Sequence, residues 1–321
     1  MRILFLVIFL LASFSARADD ECRRPDVDHV TFPVTLSDGK TYNEVGFLYR
    51  HRGVAERDLQ VTIHGATDQH LYWDIPDLNG RAYSYVNFMV CRGYDILALD
   101  SLGAGQSDKP PGDFLNTNET VSSLNQVIQQ VKRGIRHRHL YVVGHSFGAE
   151  QAVLLQARFN NPADAIVLSG WGHTLTPLPP CGALDLSMIY IQPFTIDQTR
   201  CFFFYPPETD PDMLVLDHDV LGSTISRGQF LDVLSFFNNR LLDMAGAVSS
   251  PVLVQFGEFD PLYPGPIEAP KEKTFFPNAK HVQVTIIPKN GHSLNNHKTA
   301  RESWVVVDRF LKSLYGEGHR E

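Results

Sequence analysis

The sequence has little cysteine. It has four cysteines, Cys22, Cys91, Cys181 and Cys201, and no two of them form a Cys-x-x-Cys pair. That spacing argues against zinc sites and dithiol redox chemistry, and no metal site is expected. Blocks of Lys and Arg are also lacking, and the formal net charge is −8. Nucleic acid and anionic membrane surfaces are therefore excluded as expected partners. Beyond the first residues no apolar run approaches the length that spans a bilayer, so no transmembrane segment is expected. Internal repeats and low-complexity linkers are missing as well.

What remains is the composition of a globular enzyme-sized chain. Of 321 residues 43% are apolar and 20% charged, which separates the chain from disordered sequences. The length allows one large domain or two small ones. Met1-Arg2, an apolar stretch from Ile3 to Phe14 and Ala16-Arg17-Ala18 read as a signal peptide over residues 1–18. Cleavage is expected near Ala18, with Asp19 as the mature N-terminus and a secreted or periplasmic destination. All four cysteines follow that site, and an even number in an oxidising compartment suggests two disulfides. Three pairings are possible; Cys181 with Cys201 and Cys22 with Cys91 is preferred. Asn118-Glu119-Thr120 is a glycosylation sequon, used only if the host is eukaryotic.

The chain is organised around Gly144-His145-Ser146-Phe147-Gly148. Before it, His139 to Val143 is a short β-branched, apolar run that reads as a buried strand. After it, Ala149 to Phe159 suits a helix packed on a sheet. A serine between two glycines at a strand-to-helix turn is a nucleophile elbow, with its hydroxyl lifted clear at the positive end of the helix.

Other strands are expected at His29 to Leu36, Tyr42 to Arg50, Leu59 to Ile63, Tyr94 to Asp100, Ala165 to Ser169, Val252 to Phe256 and His281 to Ile287. Val121, Leu124, Val127, Ile128 and Val131 give a helical period over Thr120 to Arg136. Thr299 to Leu314 reads as a closing helix. Buried strands alternating with helices imply a mainly parallel sheet of about eight strands with helices on both faces. One stretch breaks the rhythm. Residues 171–250 hold prolines, two cysteines and the run Phe202-Phe203-Phe204-Tyr205. They read as an inserted, partly helical cap, with residues 19–170 and 251–321 as the core.

A serine hydroxyl needs a base to take its proton, usually a histidine oriented by a carboxylate. Gly257-Glu258-Phe259-Asp260 and Asn290-Gly291-His292 each follow an expected strand and offer an acid and a base at the same sheet edge. Glu258 and His297 are alternatives to Asp260 and His292. His64 and His145 flank the site and are expected to shape it. His173 and Trp73 each fit either the pocket or the core.

With these pieces the chain resembles the α/β-hydrolase superfamily, in its capped branch, over nearly all of its expected mature length. The resemblance implies Ser146 as nucleophile, Asp260 as acid and His292 as base, in the family's order. It also implies that His64-Gly65-Ala66 is an oxyanion loop, where the N–H of Ala66 joins that of Phe147. Asp100, Gly103, Gly105 and Ser107 are similar to a structural turn of that branch, from which Leu102 departs. The implied activity is a cofactor-independent serine hydrolase acting on a small-molecule ester through an acyl-enzyme. The same triad also serves thioesterases, lactonases, amidases and acyltransferases, and a non-catalytic ligand-binding protein is the alternative of another class. The phenylalanines at 194, 202, 203, 204, 230, 236 and 237, with Tyr205, are expected to divide between the cap's own core and an apolar cleft above Ser146.

Overall fold

The computed structural model describes residues 22–53, 56–173, 177, 179–236 and 242–315. The expected signal peptide, its cleavage point at Ala18 and the expected N-terminus at Asp19 lie outside these residues, as does Phe237.

Two long strands, β1 (Asp26–Thr35) and β2 (Thr41–Arg50), open the described chain as an antiparallel pair. They are followed by β3 (Asp58–Ile63) and a hairpin of β4 (Asp74–Leu78) and β5 (Arg81–Ser84). Next come α1 (Tyr85–Val90), β6 (Tyr94–Asp100), α2 (Thr117–Gly134), β7 (Leu140–His145), α3 (Phe147–Arg158) and β8 (Ala165–Ser169). The chain then leaves the sheet through β9 (Tyr190–Ile191), α4 (Ile196–Phe203), α5 (Pro211–Leu216), β10 (Ile225–Ser226), α6 (Arg227–Phe236) and α7 (Leu242–Ala245). It returns in β11 (Val252–Gly257), α8 (Gly265–Glu272), β12 (Val282–Ile287) and α9 (Ala300–Ser313).

Eight strands join in one sheet, in the order β1-β2-β6-β3-β7-β8-β11-β12. The β2 strand is antiparallel to both of its neighbours, and from β6 onward every pairing is parallel. Sequence-adjacent side chains point to opposite faces, as the pleat requires. Along β6, Leu97 and Leu99 join the core under α2 and α3, while Ile96 and Ala98 join the core under α1 and α9. The same alternation sends Leu140 and Val142 of β7 one way and Tyr141 and Val143 the other. Both faces are covered, which is why these strands read as continuous apolar runs.

Differences from the sequence reading are local. Helix α2 begins at Thr117, because the side chain of Asn116 accepts from the Glu119 N–H at 3.1 Å and caps the helix there. The β4–β5 hairpin was not expected, although it turns at Asn79-Gly80, both with positive φ. That dipeptide is a strong short-range hairpin signal. Helix α8 was also unexpected, since Pro266 and Pro270 lie within it. Proline is tolerated in the first turn, and Pro270 costs one backbone donor further along. Cys22 is bonded to Cys91 and Cys181 to Cys201, as preferred from the sequence. Among the described residues no helix is long and apolar enough to cross a membrane.

Candidate active site

Every chemically promising loop follows the C-terminal end of a parallel strand, so the sheet gathers them at one edge. Between β7 and α3, Ser146 adopts φ 50° and ψ −117°. Positive φ is costly for a residue with a side chain and persists only where the surroundings hold it. Here the Ser146 N–H donates to the Ser169 carbonyl at 2.8 Å, and its own carbonyl accepts from the Ala149 N–H at 2.9 Å. The two flanking glycines are steric necessities. A Cβ on Gly144 would lie 2.3 Å from the Gly148 carbonyl oxygen, and one on Gly148 would lie 2.4 Å from that of Ile63.

His292, in the loop after β12, places Nε2 2.9 Å from the Ser146 hydroxyl. Its Nδ1 lies 3.0 Å from Oδ2 of Asp260, in the loop after β11. Facing a carboxylate, Nδ1 carries the proton of the neutral ring, which leaves Nε2 to accept from the serine. The second oxygen of Asp260 accepts from the N–H groups of Leu262 and Tyr263, at 2.8 and 3.0 Å. The carboxylate is thereby held in one orientation. The alternatives are engaged elsewhere. Glu258 accepts from the Lys289 N–H at 2.9 Å. His297 donates from Nδ1 to the Ser293 carbonyl at 2.9 Å and accepts at Nε2 from the Tyr205 N–H at 2.8 Å.

The loop after β3 runs along the other side of the serine. His64 donates from Nδ1 to the Gly65 carbonyl at 2.8 Å, and its Nε2 accepts from the Ser101 N–H at 3.1 Å. Burial pushes the pKa of this imidazole down, which favours the neutral tautomer this pattern needs. Because a peptide is planar and trans, holding the Gly65 carbonyl turns the N–H of Ala66 the opposite way. Neither the N–H of Ala66 nor that of Phe147 meets an acceptor among the described residues. Phe147 opens α3, where the first N–H groups have no partner in the helix.

Ser146 and Ala66 line a cavity of about 60 Å³. Its remaining wall is apolar and comes largely from the segment between β8 and β11: Leu184, Phe194, Phe202, Phe203, Phe230 and neighbouring aliphatics. The ring of Phe203 also stacks on His292, with centroids 5.4 Å apart. Two other aromatics of that segment go elsewhere. Phe204 packs with Ile75, Tyr83 and Met213, and Tyr205 stacks on Phe259.

His145 is buried, stacked on Tyr72 at 4.4 Å, with Nδ1 3.2 Å from the Ser169 carbonyl. Burial, helped by the nearby His292, pushes its pKa well below the ordinary histidine value. His173 pairs with Glu272 of α8 at 2.6 Å, away from the serine, and Trp73 belongs to the core with Tyr72 and Tyr85. In the expected structural turn, Asp100 accepts from the His70 and Gln106 N–H groups, at 2.7 and 2.8 Å. Asn118 is exposed in the first turn of α2, where its side-chain oxygen accepts from Arg158 at 2.7 Å. The sequence offered no sign of the contact of Phe203 with His292, of Tyr263 with Asp260, or of Leu184 in the cavity wall. The first and the last depend on residues distant in sequence, the second lies within a three-residue turn, and none has a motif of its own.

A family model described as alpha/beta hydrolase fold matches residues 61–210. No curated protein matches the sequence. Among solved structures, a bromoperoxidase from Bacillus anthracis superposes with a TM-score of 0.65 at 18% identity, covering 88% of this chain and 99% of that one. A thermophilic esterase from Thermogutta terrifontis gives 0.63 at 14%, covering 88% and 98%. The enol-lactonase from Burkholderia xenovorans gives 0.63 at 15%, covering 87% and 99%. With its eight-stranded sheet in this order and these matches, the chain has the fold of the α/β-hydrolase superfamily.

Proposed function

We propose that this chain is a secreted serine hydrolase of the capped branch, acting on uncharged, apolar carboxylic esters. The observation that carries the reading is one continuous line of hydrogen bonds, from Ser146 through His292 to Asp260, opening on an apolar cavity. Residues 171–250 serve as the cap over the sheet edge. The two disulfides suit an exported chain. Solved relatives in fold include an esterase and a lactonase, and also a bromoperoxidase, so the choice of ester chemistry rests on the site itself.

In this mechanism the Ser146 oxygen attacks the ester carbonyl carbon while His292 Nε2 takes the hydroxyl proton. Negative charge gathers on the former carbonyl oxygen, which the N–H groups of Ala66 and Phe147 receive. The carboxylate of Asp260 stabilises the imidazolium and preserves its orientation. His292 then gives the proton to the departing alcohol, leaving an acyl group on Ser146. Water, activated by the same imidazole, releases the acid. No cofactor enters any step.

The test is covalent labelling with a fluorophosphonate, combined with turnover of a panel of esters, thioesters, amides and lactones by the purified protein. Labelling at Ser146 with preference for apolar esters supports the reading. Turnover that persists in Ser146→Ala, or faster turnover of a dianionic ester than of a neutral one, overturns it.

A further inference from the structure

On the outer side of the cavity wall lies a second space. A groove of about 240 Å³ runs along residues 183–198, with Met188, Ile191 and Pro193 among its apolar lining and Asp185, Gln192 and Gln198 among its polar residues. The groove and the 60 Å³ cavity beside Ser146 have two lining residues in common, Leu184 and Phe194. These two side chains are therefore a partition with the reacting serine on one side and the groove on the other.

The partition is built from the two arms of a closed loop. Leu184 follows Cys181 by three residues and Phe194 precedes Cys201 by seven, and the disulfide ties the loop's ends together. Gln198 donates to the Ala183 carbonyl at 2.8 Å, which joins the arms again beside Leu184. Phe194 is fixed on its inner side by Phe202, Phe203 and Phe230, with ring centroids 5.4 to 6.0 Å away. Met188, by contrast, is 54% exposed.

We infer that Leu184 and Phe194 set the acyl-chain length this site accepts, and that the groove is the continuation of the acyl site from which they close it off. The inference rests on the reading of Ser146 as the nucleophile of an ester hydrolase. Short acyl groups fit on the inner side, against Phe202 and Phe230. A longer chain has to pass between Leu184 and Phe194, and beyond them it meets apolar surface contiguous with the cavity. Removing either side chain joins the two spaces. Each methylene that then leaves water adds about 0.8 kcal/mol of binding, roughly a fourfold gain in kcat/KM when it is expressed in the transition state.

The experiment is a series of p-nitrophenyl esters from acetate to decanoate, run on the wild-type protein, Leu184→Ala and Phe194→Ala. The wild type is expected to gain from acetate to butyrate and to fall beyond it. Each variant is expected to move its optimum to longer chains and to raise the octanoate-to-acetate ratio of kcat/KM at least tenfold. Adding Met188→Trp to Leu184→Ala fills the groove from its exposed side and is expected to reverse that gain. A length profile unchanged in both alanine variants, or one that Met188→Trp leaves extended, overturns the inference while ester hydrolysis stands. Absence of ester hydrolysis and of fluorophosphonate labelling in the wild type overturns the proposed function, and the inference with it. Should Phe194→Ala fail to fold, Leu184→Ala and its double variant decide the matter, because Leu184 is only partly buried.

Discussion

The ring of Phe203 stacks on the imidazole of His292 with centroids 5.4 Å apart, and the Phe203 carbonyl accepts from the N–H of Ser293 at 3.0 Å. One residue of α4 thus touches the imidazole by its side chain and the imidazole's loop by its backbone. Replacing it by alanine removes the ring and keeps the backbone bond. A ring contact of this kind contributes roughly 0.5–1.5 kcal/mol. Phe203→Ala is therefore expected to lower kcat/KM toward a short ester by up to about tenfold, with fluorophosphonate labelling slowed in proportion. Steady-state kinetics beside labelling rates check this.

Ser146→Ala should abolish labelling and reduce kcat by on the order of 10⁶, as expected where nucleophile and base act as one unit. Asp260→Asn preserves shape but presents the wrong partner to Nδ1, and a loss on the order of 10⁴ in kcat is expected. Circular dichroism on both variants confirms that the fold persists. Full activity in either would remove the triad from the mechanism.

In the proposed mechanism His64 acts on the reaction through the peptide it holds. His64→Leu frees the Gly65 carbonyl and lets the N–H of Ala66 turn. The expected result is a fall in kcat of at least about tenfold with little change in KM, because an oxyanion donor works mainly in the transition state. His64→Asn can donate from a similar position and should recover part of the loss. A purely structural role would move stability and leave the KM-against-kcat pattern alone.

Buried carboxyls and histidines give the stability a defined pH dependence. Burial, reinforced by Asp232, pushes the Glu150 carboxyl from its ordinary 4.5 up to about 8. The folded state then holds a proton that the unfolded chain has released. Glu150 therefore contributes stability in full below about 4.5 and loses it as the pH rises through about 8. Burial pushes His297 from 6.5 down to about 4, so its contribution is present above 6.5 and lost as the pH falls through 4. Thermal denaturation followed from pH 4 to 9 should show a flatter alkaline limb in Glu150→Gln than in the wild type.

Cys181 and Cys201 close a loop with a sequence separation of 20. The chain-entropy account assigns such a closure about 3 kcal/mol. A Cys181→Ser, Cys201→Ser double variant should unfold at a lower denaturant midpoint by a corresponding amount. Non-reducing peptide mapping of the wild type should find the Cys181–Cys201 and Cys22–Cys91 peptides joined; free thiols at these positions would contradict the pairing.

The sequence alone determined what depends on neighbours along the chain. Ile96 to Leu99 is an unbroken apolar run, so β6 could be read without a fold. Gly144, Ser146 and Gly148 could be read for the same reason, since a tight turn constrains the residues that make it. Asp260 and His292 were legible at one remove, because a parallel sheet delivers its loops to one edge. Tertiary structure decided the rest, through contacts between residues far apart in the chain. Tyr205 donates to the Nε2 of His297 across 92 residues, whereas the Nε2 of His292 lies 2.9 Å from the Ser146 hydroxyl. Leu184 and Phe194 carry no motif, and only the folding of their loop between a groove and a serine gives them a role. Glu150 reads as an ordinary polar residue at a helix start, and burial, with Asp232 nearby, raises its pKa. Spacing in sequence records backbone geometry, whereas burial and long-range packing belong to the whole chain at once.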